Sequence, residues 1–376
     1  MTEPLLANAI SASALAEYLT RPEAGSAPAD PLAPYLGALT VQRFDAPEAE
    51  TRALLAGVAV HDLGWLRKIL VRGEDRERWL SGMVTNAVES LPNQTGAYNL
   101  VLNAQGRIQG DGYVWRDGDA LELAVTAEQS EALLGHFDNF IIMDDVELIT
   151  VESESALGLT GPEAESVLSK IGLRSLGNDL SISTGTVDGI PVRLFRSYGK
   201  LVPHYILWAN SDKIPHLWQA LVAAGATPVG SDALETLRIV EGIPAYGIDI
   251  QSRDLAQETA QDRALNFTKG CYLGQEIVER VRSRGQVHRH LRALELKPDS
   301  STETPAVGTE IRIAGAAADS KPVATLTSIA EVQLDDIRRI FAIGMVRAEA
   351  EVGKQALVYP GGTATILFEA PKLVVA

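Results

Sequence analysis

Hydrophobic positions along this chain switch between helical and strand spacing several times, and the switches mark its elements. Asp45 offers an N-cap, Pro47 falls in the first turn and Glu48 stands three residues after the cap, so the pattern predicts a helix to about residue 55. His61-Asp62-Leu63-Gly64 reads as a turn into a strand over 66–71, and Trp79, Leu80 and Met83 then recur at helical spacing. Alternation predicts strands over 98–103 and 108–115 around a Gly106-Arg107 turn. A strand over 121–126, a helix to about 139 and a strand over 146–151 follow. The pattern then repeats, with strands over 156–160, 190–196 and 205–209. Helices are predicted from Gly161-Pro162-Glu163 to about 172, over 214–224 and over 231–241, the last stopped by Gly242 and Pro244.

Strands interleaved with helices, many of them paired as hairpins, indicate α+β layers. No G-x-G-x-x-G follows a strand, which leaves a dinucleotide fold without support. From His290 the texture changes to short strands over 291–296, 310–314, 322–328, 341–346, 355–359 and 363–369. Gly, Pro and Asp turns separate them, the signature of a small β-barrel. The chain therefore divides into a lead-in over 1–35, an α+β region over 36–287 and a barrel over 288–376. The lead-in is rich in Ala, Ser and Pro and is expected to be mobile, with a short helix over 9–19 as its one ordered piece.

Composition adds limits. The 46% hydrophobic content with 22% charged residues is ordinary for a soluble globular chain, and one cysteine excludes a disulfide framework. A net charge of −16 argues against nucleic acid as the main partner. No run approaches the ~20 apolar residues of a membrane span, and no Lys or Arg precedes Arg21. A cytoplasmic protein with no membrane partner is the expectation.

Against that acidity, residues 263–292 hold seven Lys or Arg and two Glu. Clustered charge of one sign focuses the field, so the window is a candidate anion-binding surface; a solvated basic face is the plainer alternative. Inside it lies Lys269-Gly270-Cys271-Tyr272-Leu273-Gly274-Gln275-Glu276, with the chain's one cysteine close to two glycines. Lys269, Arg280, Arg282 and Arg284 would favour the thiolate of Cys271, whereas a buried, inert cysteine is the structural alternative. One cysteine cannot alone hold an iron–sulfur cluster. His288 and His290, two apart on an expected strand, are weak candidates for added ligands. Arg280, Arg282 and Arg284 alternate with Val281, Ser283 and Gly285, which at strand spacing would put three guanidiniums on one face for carboxylates.

K-G-C-Y-L-G-Q-E followed by an arginine resembles the motif of YgfZ-type proteins, relatives of the glycine cleavage T protein (aminomethyltransferase). Further segments appear in the family's order: Ala59-Val60-His61-Asp62-Leu63, Leu102-Asn103-Ala104-Gln105-Gly106-Arg107 with Asp111, Leu237-Arg238-Ile239-Val240-Glu241-Gly242-Ile243-Pro244, and Gly344-Met345-Val346-Arg347. The resemblance covers about residues 45–368. It implies an N-terminal α+β region of two subdomains and a C-terminal barrel, arranged around a site for tetrahydrofolate with its glutamyl tail. It further implies an accessory protein supporting assembly or repair of iron–sulfur enzymes, including radical-SAM tRNA-modifying enzymes, with Cys271 as its functional thiol. A folate-dependent aminomethyl or one-carbon transferase using Asp111 is the alternative, and a module docking an acidic partner without folate is the third.

Carried over by the motifs, Cys271 and Asp111 are the candidate catalytic residues. Asn103, Asp111, Arg238, Lys269, Gly270, Gly274, Gln275, Glu276, Arg280 and Arg282 are the candidate cofactor-binding residues. Asn103 also suits a plain turn-capping role, and Asp111 a solvent-facing one. The chain departs from the aminomethyltransferase pattern at three places. Gly110 stands where the first of two Asp is found, Tyr205 where a pterin-reading Glu is found, and Leu234 where an Arg is found. Neither Tyr nor Leu offers a carboxylate or guanidinium for those contacts, which weighs against glycine cleavage chemistry.

Overall fold

The computed structural model describes residues 10–21, 30–285, 287–299, 303–317, 320–335, 337–352 and 355–373. The rest of the lead-in, 1–9 and 22–29, and the side chain of Arg284 lie outside them. What is described of the lead-in is packed, not loose. Helix α1 (Ala14–Leu19) is capped by Ser13, whose Oγ accepts the Ala16 amide at 2.9 Å, and it buries Leu15, Ala16 and Leu19. Leu15 and Leu19, four apart, point at one core cluster, so helical spacing outweighs the loop-like composition. Strands β1 (Leu32–Tyr35) and β2 (Ala38–Val41) pair as a hairpin behind it.

The helices that follow are α2 (Pro47–Ala56), α3 (Arg76–Met83), α4 (Ala127–Asp138), α5 (Ala164–Lys170), α6 (Ile214–Ala223), α7 (Ser231–Val240), α8 (Gln275–Arg284) and α9 (Ala348–Glu351). Eleven strands make one sheet: β3 (Ala59–Asp62), β4 (Leu66–Arg72), β5 (Thr95–Leu102), β6 (Ile108–Asp117), β7 (Ala120–Thr126), β8 (Glu147–Thr150), β9 (Glu154–Thr160), β10 (Ser181–Val187), β11 (Ile190–Ser197), β12 (His204–Asn210) and β13 (Thr227–Pro228). Their order is β13-β3-β9-β12-β11-β10-β5-β6-β7-β4-β8. The β10–β5 junction is paired at Ser181 and Thr95 alone, so the sheet falls into two halves with a thin seam. One half packs α1, α5 and α6 over a cluster that includes Leu159, Leu207 and Trp218. The other packs α3 and α4 over Val101, Leu123 and Phe137.

The C-terminal strands β14 (Arg289–Pro298), β15 (Glu310–Ile313), β16 (Ala324–Leu334), β17 (Ile337–Arg347), β18 (Leu357–Tyr359) and β19 (Gly362–Leu367) close into the expected barrel. A buried carboxylate joins it to the α+β region. Asp249 accepts hydrogen bonds from Arg238 Nη1 (2.5 Å), the Ala245 amide (3.0 Å), Thr327 Oγ1 (2.5 Å) and Ser328 Oγ (2.7 Å). Neighbouring strand residues normally face opposite ways. The register of β16 shifts between Leu326 and Ser328, and that bulge lets both hydroxyls reach one carboxylate.

The segment after Cys271 differs from the strand expected there. Residues 275–284 form α8, so the arginines do not line one strand face. Alternating Arg at 280, 282 and 284 masked the helical spacing of Ile277, Val278 and Val281, of which Val278 is fully buried. Arg282 stacks on Phe267 at 4.3 Å and pairs with Glu279 at 3.5 Å, while Arg280 is exposed. His290 lies in β14 and pairs with Glu351 at 2.9 Å; His288 precedes the strand. Among the described residues no His, Cys, Asp and Glu cluster is placed to hold a metal ion, and no helix is long and apolar enough to cross a membrane.

Two expected outcomes follow from these contacts. Asp249→Ala removes the acceptor shared by Arg238 and the β16 hydroxyls and leaves a buried cation short of a partner, at a cost of ~3–5 kcal/mol. Urea unfolding reads this, and an unchanged midpoint would show that the clamp does not hold the barrel. Asp62 accepts from the Ser13 hydroxyl and the Gly64 amide, and burial pushes its carboxyl up to about 6 against the pull of those two bonds. The folded chain thus holds this proton more tightly than the unfolded one, so stability falls as pH rises from about 4 to about 6. Asp62→Asn is expected to flatten that part of the stability profile, and a slope identical to the native one would refute the assignment.

Candidate functional site

A cleft of about 250 Å³ opens between the sheet, α7 and the 243–246 segment. Aromatic residues set its shape. Tyr98 and Tyr113, on β5 and β6, lie 5.2 Å apart, and Tyr113 stacks on Trp115 at 5.8 Å. Asp111 faces the cleft from β6, where Tyr98 Oη donates to its Oδ2 at 2.6 Å and Gln129 Nε2 to its Oδ1 at 3.0 Å. Burial pushes the Asp111 carboxyl above its ordinary range, with Tyr98, Gln129 and Arg263 pulling the other way.

Gly110 has a local cause. A Cβ there would sit 2.6 Å from Gln129 Oε1 and 2.8 Å from Leu133 Cδ2, so α4 packs where a side chain would go. Gln129 also accepts the Asp111 amide at 2.9 Å. It occupies the space and supplies polar contacts that a second acid at position 110 could not share.

Arg263, at the edge of the basic window, is the cation of the cleft that no carboxylate among the described residues holds. It sits in a short turn at Asp262–Ala264. Its guanidinium lies 4.2 Å from the Tyr98 ring and 4.1 Å from the Tyr198 ring, and it donates to Tyr113 Oη at 3.0 Å and Gln261 Oε1 at 3.2 Å. Among the described residues no carboxylate pairs with it within 4 Å. Burial works against its charge, but Tyr113 and Tyr98 outweigh that and hold it protonated. No local motif announces this group, because its partners come from three separate stretches.

The structure scatters the other expected site residues. Arg238 lines the cleft, but its guanidinium is taken up by Glu235, Asp249, the Ile243 carbonyl and Ser328. Asn103 does not reach the cleft; its Oδ1 accepts the Gln105 and Arg107 amides, each at 3.0 Å, and so caps the hairpin turn. Lys269 does not line the cleft. Its ammonium donates to the carbonyls of Ser81 (2.6 Å), Val84 (2.6 Å) and Asn86 (2.7 Å), and burial lowers it to about 8, with Glu89 opposing. Gly274 has φ +82° and a Cβ there would lie 2.6 Å from the Asn103 carbonyl, so this glycine permits packing of α8 against the hairpin. Gly270, Cys271 and Glu276 are exposed, Gln275 is half-buried at the start of α8, and none of them lines the cleft.

Tyr205 borders the cleft, but its ring packs in the core cluster on the opposite sheet face, with its hydroxyl toward Glu165 and Arg196. Strand alternation turns its neighbour His204 toward the cleft instead. His204 Nε2 lies 3.2 Å from Glu241 Oε1, and that oxygen also accepts the Lys200 and Leu201 amides. Leu234 lines the cleft as an apolar side chain, in agreement with the absence of a guanidinium there.

Comparison with known proteins accounts for this arrangement. A family model described as the GCVT N-terminal domain matches residues 21–269. A chloroplastic transferase-like protein of Arabidopsis thaliana is 27% identical over 297 residues, covering 77% of this chain and 65% of that protein. An aminomethyltransferase of Rubrobacter xylanophilus is 30% identical over 243 residues, covering 63% of this chain and 65% of that protein. The match thus spans just under two thirds of the length of these relatives. The crystal structure of the glycine cleavage system aminomethyltransferase T from Bartonella henselae shares the fold, with a TM-score of 0.76 at 17% identity over 89% of this chain and 92% of that one. The chain belongs to the family of the GCVT N-terminal domain.

Proposed function

We propose that the cleft binds tetrahydrofolate and that the chain acts as a folate-binding accessory to iron–sulfur enzymes, meeting them through Cys271. The observation that carries the folate reading is the cleft itself. Flat walls from Tyr98, Tyr113 and Tyr198 suit a planar ring system, and Arg263, without a carboxylate partner, suits an acidic extension of the same ligand. At about 250 Å³ the cleft lies just below the ~300–1,000 Å³ of pockets for drug-sized ligands. It would hold the bicyclic ring and leave the glutamyl tail to leave by the mouth. Curated relatives named as aminomethyltransferases support a folate-type ligand.

The accessory reading rests on the placement of Cys271. Its thiol is free and exposed, and it lies outside the cleft. A thiol there is open to a partner protein that supplies the remaining ligands of a cluster. One-carbon transfer at Asp111 is the second reading, favoured by the names of the relatives. Both oxygens of Asp111 already accept hydrogen bonds, which leaves it less free to take a proton from a substrate.

Titration calorimetry of the full chain with tetrahydrofolate is expected to show binding. Arg263→Ala is expected to weaken it by ~10–100-fold, the worth of one charge-assisted contact. No binding by the native chain would end the folate reading. In cells lacking the gene, the native chain is expected to restore a radical-SAM iron–sulfur enzyme and Cys271→Ala is not. Equal rescue by both would end the role of the thiol, and turnover of an aminomethyl donor with tetrahydrofolate would move the conclusion to one-carbon transfer.

A further inference from the structure

Three side chains lining the cleft carry buried polar atoms without a hydrogen-bond partner among the described residues: Trp65 at its indole N–H, which can only donate, and His61 and Glu241, which can accept. His61 is 5% exposed and Glu241 is 2% exposed, both line the cleft, and Nδ1 of His61 and Oε2 of Glu241 have no hydrogen-bond partner. Folded proteins rarely leave buried polar atoms unpaired, and each exception calls for an explanation. Asp111 presents the opposite case, since both its oxygens are engaged.

The rest of each group is fixed. His61 on β3 stands opposite Gly158 on β9, and Thr160 on β9 stands opposite His204 on β12, so the four positions share one sheet face. A Cβ at Gly158 would lie 1.8 Å from His61 Cε1; the glycine lets the imidazole lie across the sheet, where Nε2 meets Thr160 Oγ1 at 3.0 Å. Glu241 Oε1 is held by the Lys200 amide (3.0 Å), the Leu201 amide (2.9 Å) and His204 Nε2 (3.2 Å). In both groups one polar atom is anchored and the other is left over. Burial works against the Glu241 charge, but His204 and the Leu201 and Val202 amides outweigh it and keep a carboxylate there. Burial, with His204 nearby, lowers His61 to about 3 against the opposing pull of the Asp62 backbone, so its ring is neutral.

We infer that Glu241 Oε2 and His61 Nδ1 are the ring-reading groups of the cleft. Glu241 accepts an N–H from the exocyclic amino group of a planar nitrogen heterocycle, and His61 hydrogen-bonds a heteroatom of the ring itself. The inference rests on the folate-binding reading for the rest of the ligand, and it deepens that reading by naming specificity residues. It also explains how the cleft serves without an acid at position 205 or a guanidinium at position 234: the acceptor comes from the end of α7, and the sheet supplies an imidazole.

The test uses the purified full chain and three probes, 2-amino-4-hydroxypteridine, its analogue without the 2-amino group, and tetrahydrofolate. Glu241→Gln keeps an oxygen for the Lys200 and Leu201 amides and turns the free acceptor into a donor. The expected result is an unchanged thermal midpoint, a ~10–100-fold loss of affinity for the aminopteridine, and equal binding of the desamino analogue by the two proteins. Equal binding of the aminopteridine by native and Glu241→Gln protein overturns the inference. Where Glu241→Gln unfolds, His61→Gln carries the test, because its amide reaches Thr160 from the Nε2 position and lacks the Nδ1 atom. A loss of affinity for both pteridines is expected there, and equal binding of both by native and His61→Gln protein overturns the inference. If the native chain binds the aminopteridine and not tetrahydrofolate, and Glu241→Gln weakens that binding, the folate reading falls and this one stands. If it binds tetrahydrofolate and both variants match it on every probe, the reverse holds. If it binds neither, both fall.

Discussion

The four hydrogen bonds on Asp249 fix the geometry on which the cleft depends. One carboxylate ties α7 through Arg238, the following loop through the Ala245 amide, and the barrel through two hydroxyls of a bulged strand. Residues 234, 237, 238 and 241 of the α7 segment and residues 243–246 of the loop form one wall of the cleft. The barrel thus serves as a buttress that presses this wall toward the sheet. Burying an ion pair this deeply stabilises only when its remaining lone pairs are satisfied. Here the bulge at Thr327 supplies the extra hydroxyl that completes the set.

The same clamp decides which cations remain for a ligand. Arg238 lies at the cleft, but the acids that hold the fold together occupy it. Lys269 is held by three carbonyls and takes no part. Arg263 has only tyrosines and an amide around it, so its charge is stabilised by π-faces without being neutralised. The polar groups of the cleft therefore sort by what the scaffold has left unused: Arg263 among the cations, and Glu241 and His61 among the acceptors.

Much of the fold was legible in the residue pattern. The closed barrel and the helices that begin at Pro47, Ala127 and Ser231 follow from hydrophobic spacing and from turn residues; the cap expected of Asp45 does not form, since Ala46 is the N-cap and none of the three helices has a side-chain cap bond. The misread elements share a cause. Residues 280–284 alternate as a strand would, and only the burial of Val278 against other elements shows the helix. The lead-in reads as loop by composition, yet Leu15 and Leu19 find a core built by distant strands. Of the site, Asp111 was legible from its place after a hairpin turn. Arg263, His204 and Glu241 were not, because their roles arise where β5, β6, β12 and the end of α7 meet. Tyr205 and His204 are neighbours on β12 whose side chains lie on opposite faces of the sheet, so which of them meets the cleft is set by strand register alone.

The Cys271 segment shows how a motif can mix packing and chemistry. Gly106 and Gly274 each lack a Cβ that would strike the other element, at Ile277 and at the Asn103 carbonyl, so the hairpin turn and the start of α8 interlock. Asn103 tightens the turn from inside, and Lys269 pins the preceding loop to the end of α3 through three carbonyl bonds. The lysine and the second glycine of the octapeptide are thus accounted for by the fold, and so is Asn103 in the hairpin they pack against. Cys271 is accounted for by none of these contacts. Its side chain stays exposed and takes no part in the packing that its neighbours supply, so the fold gives no reason for a cysteine at this position.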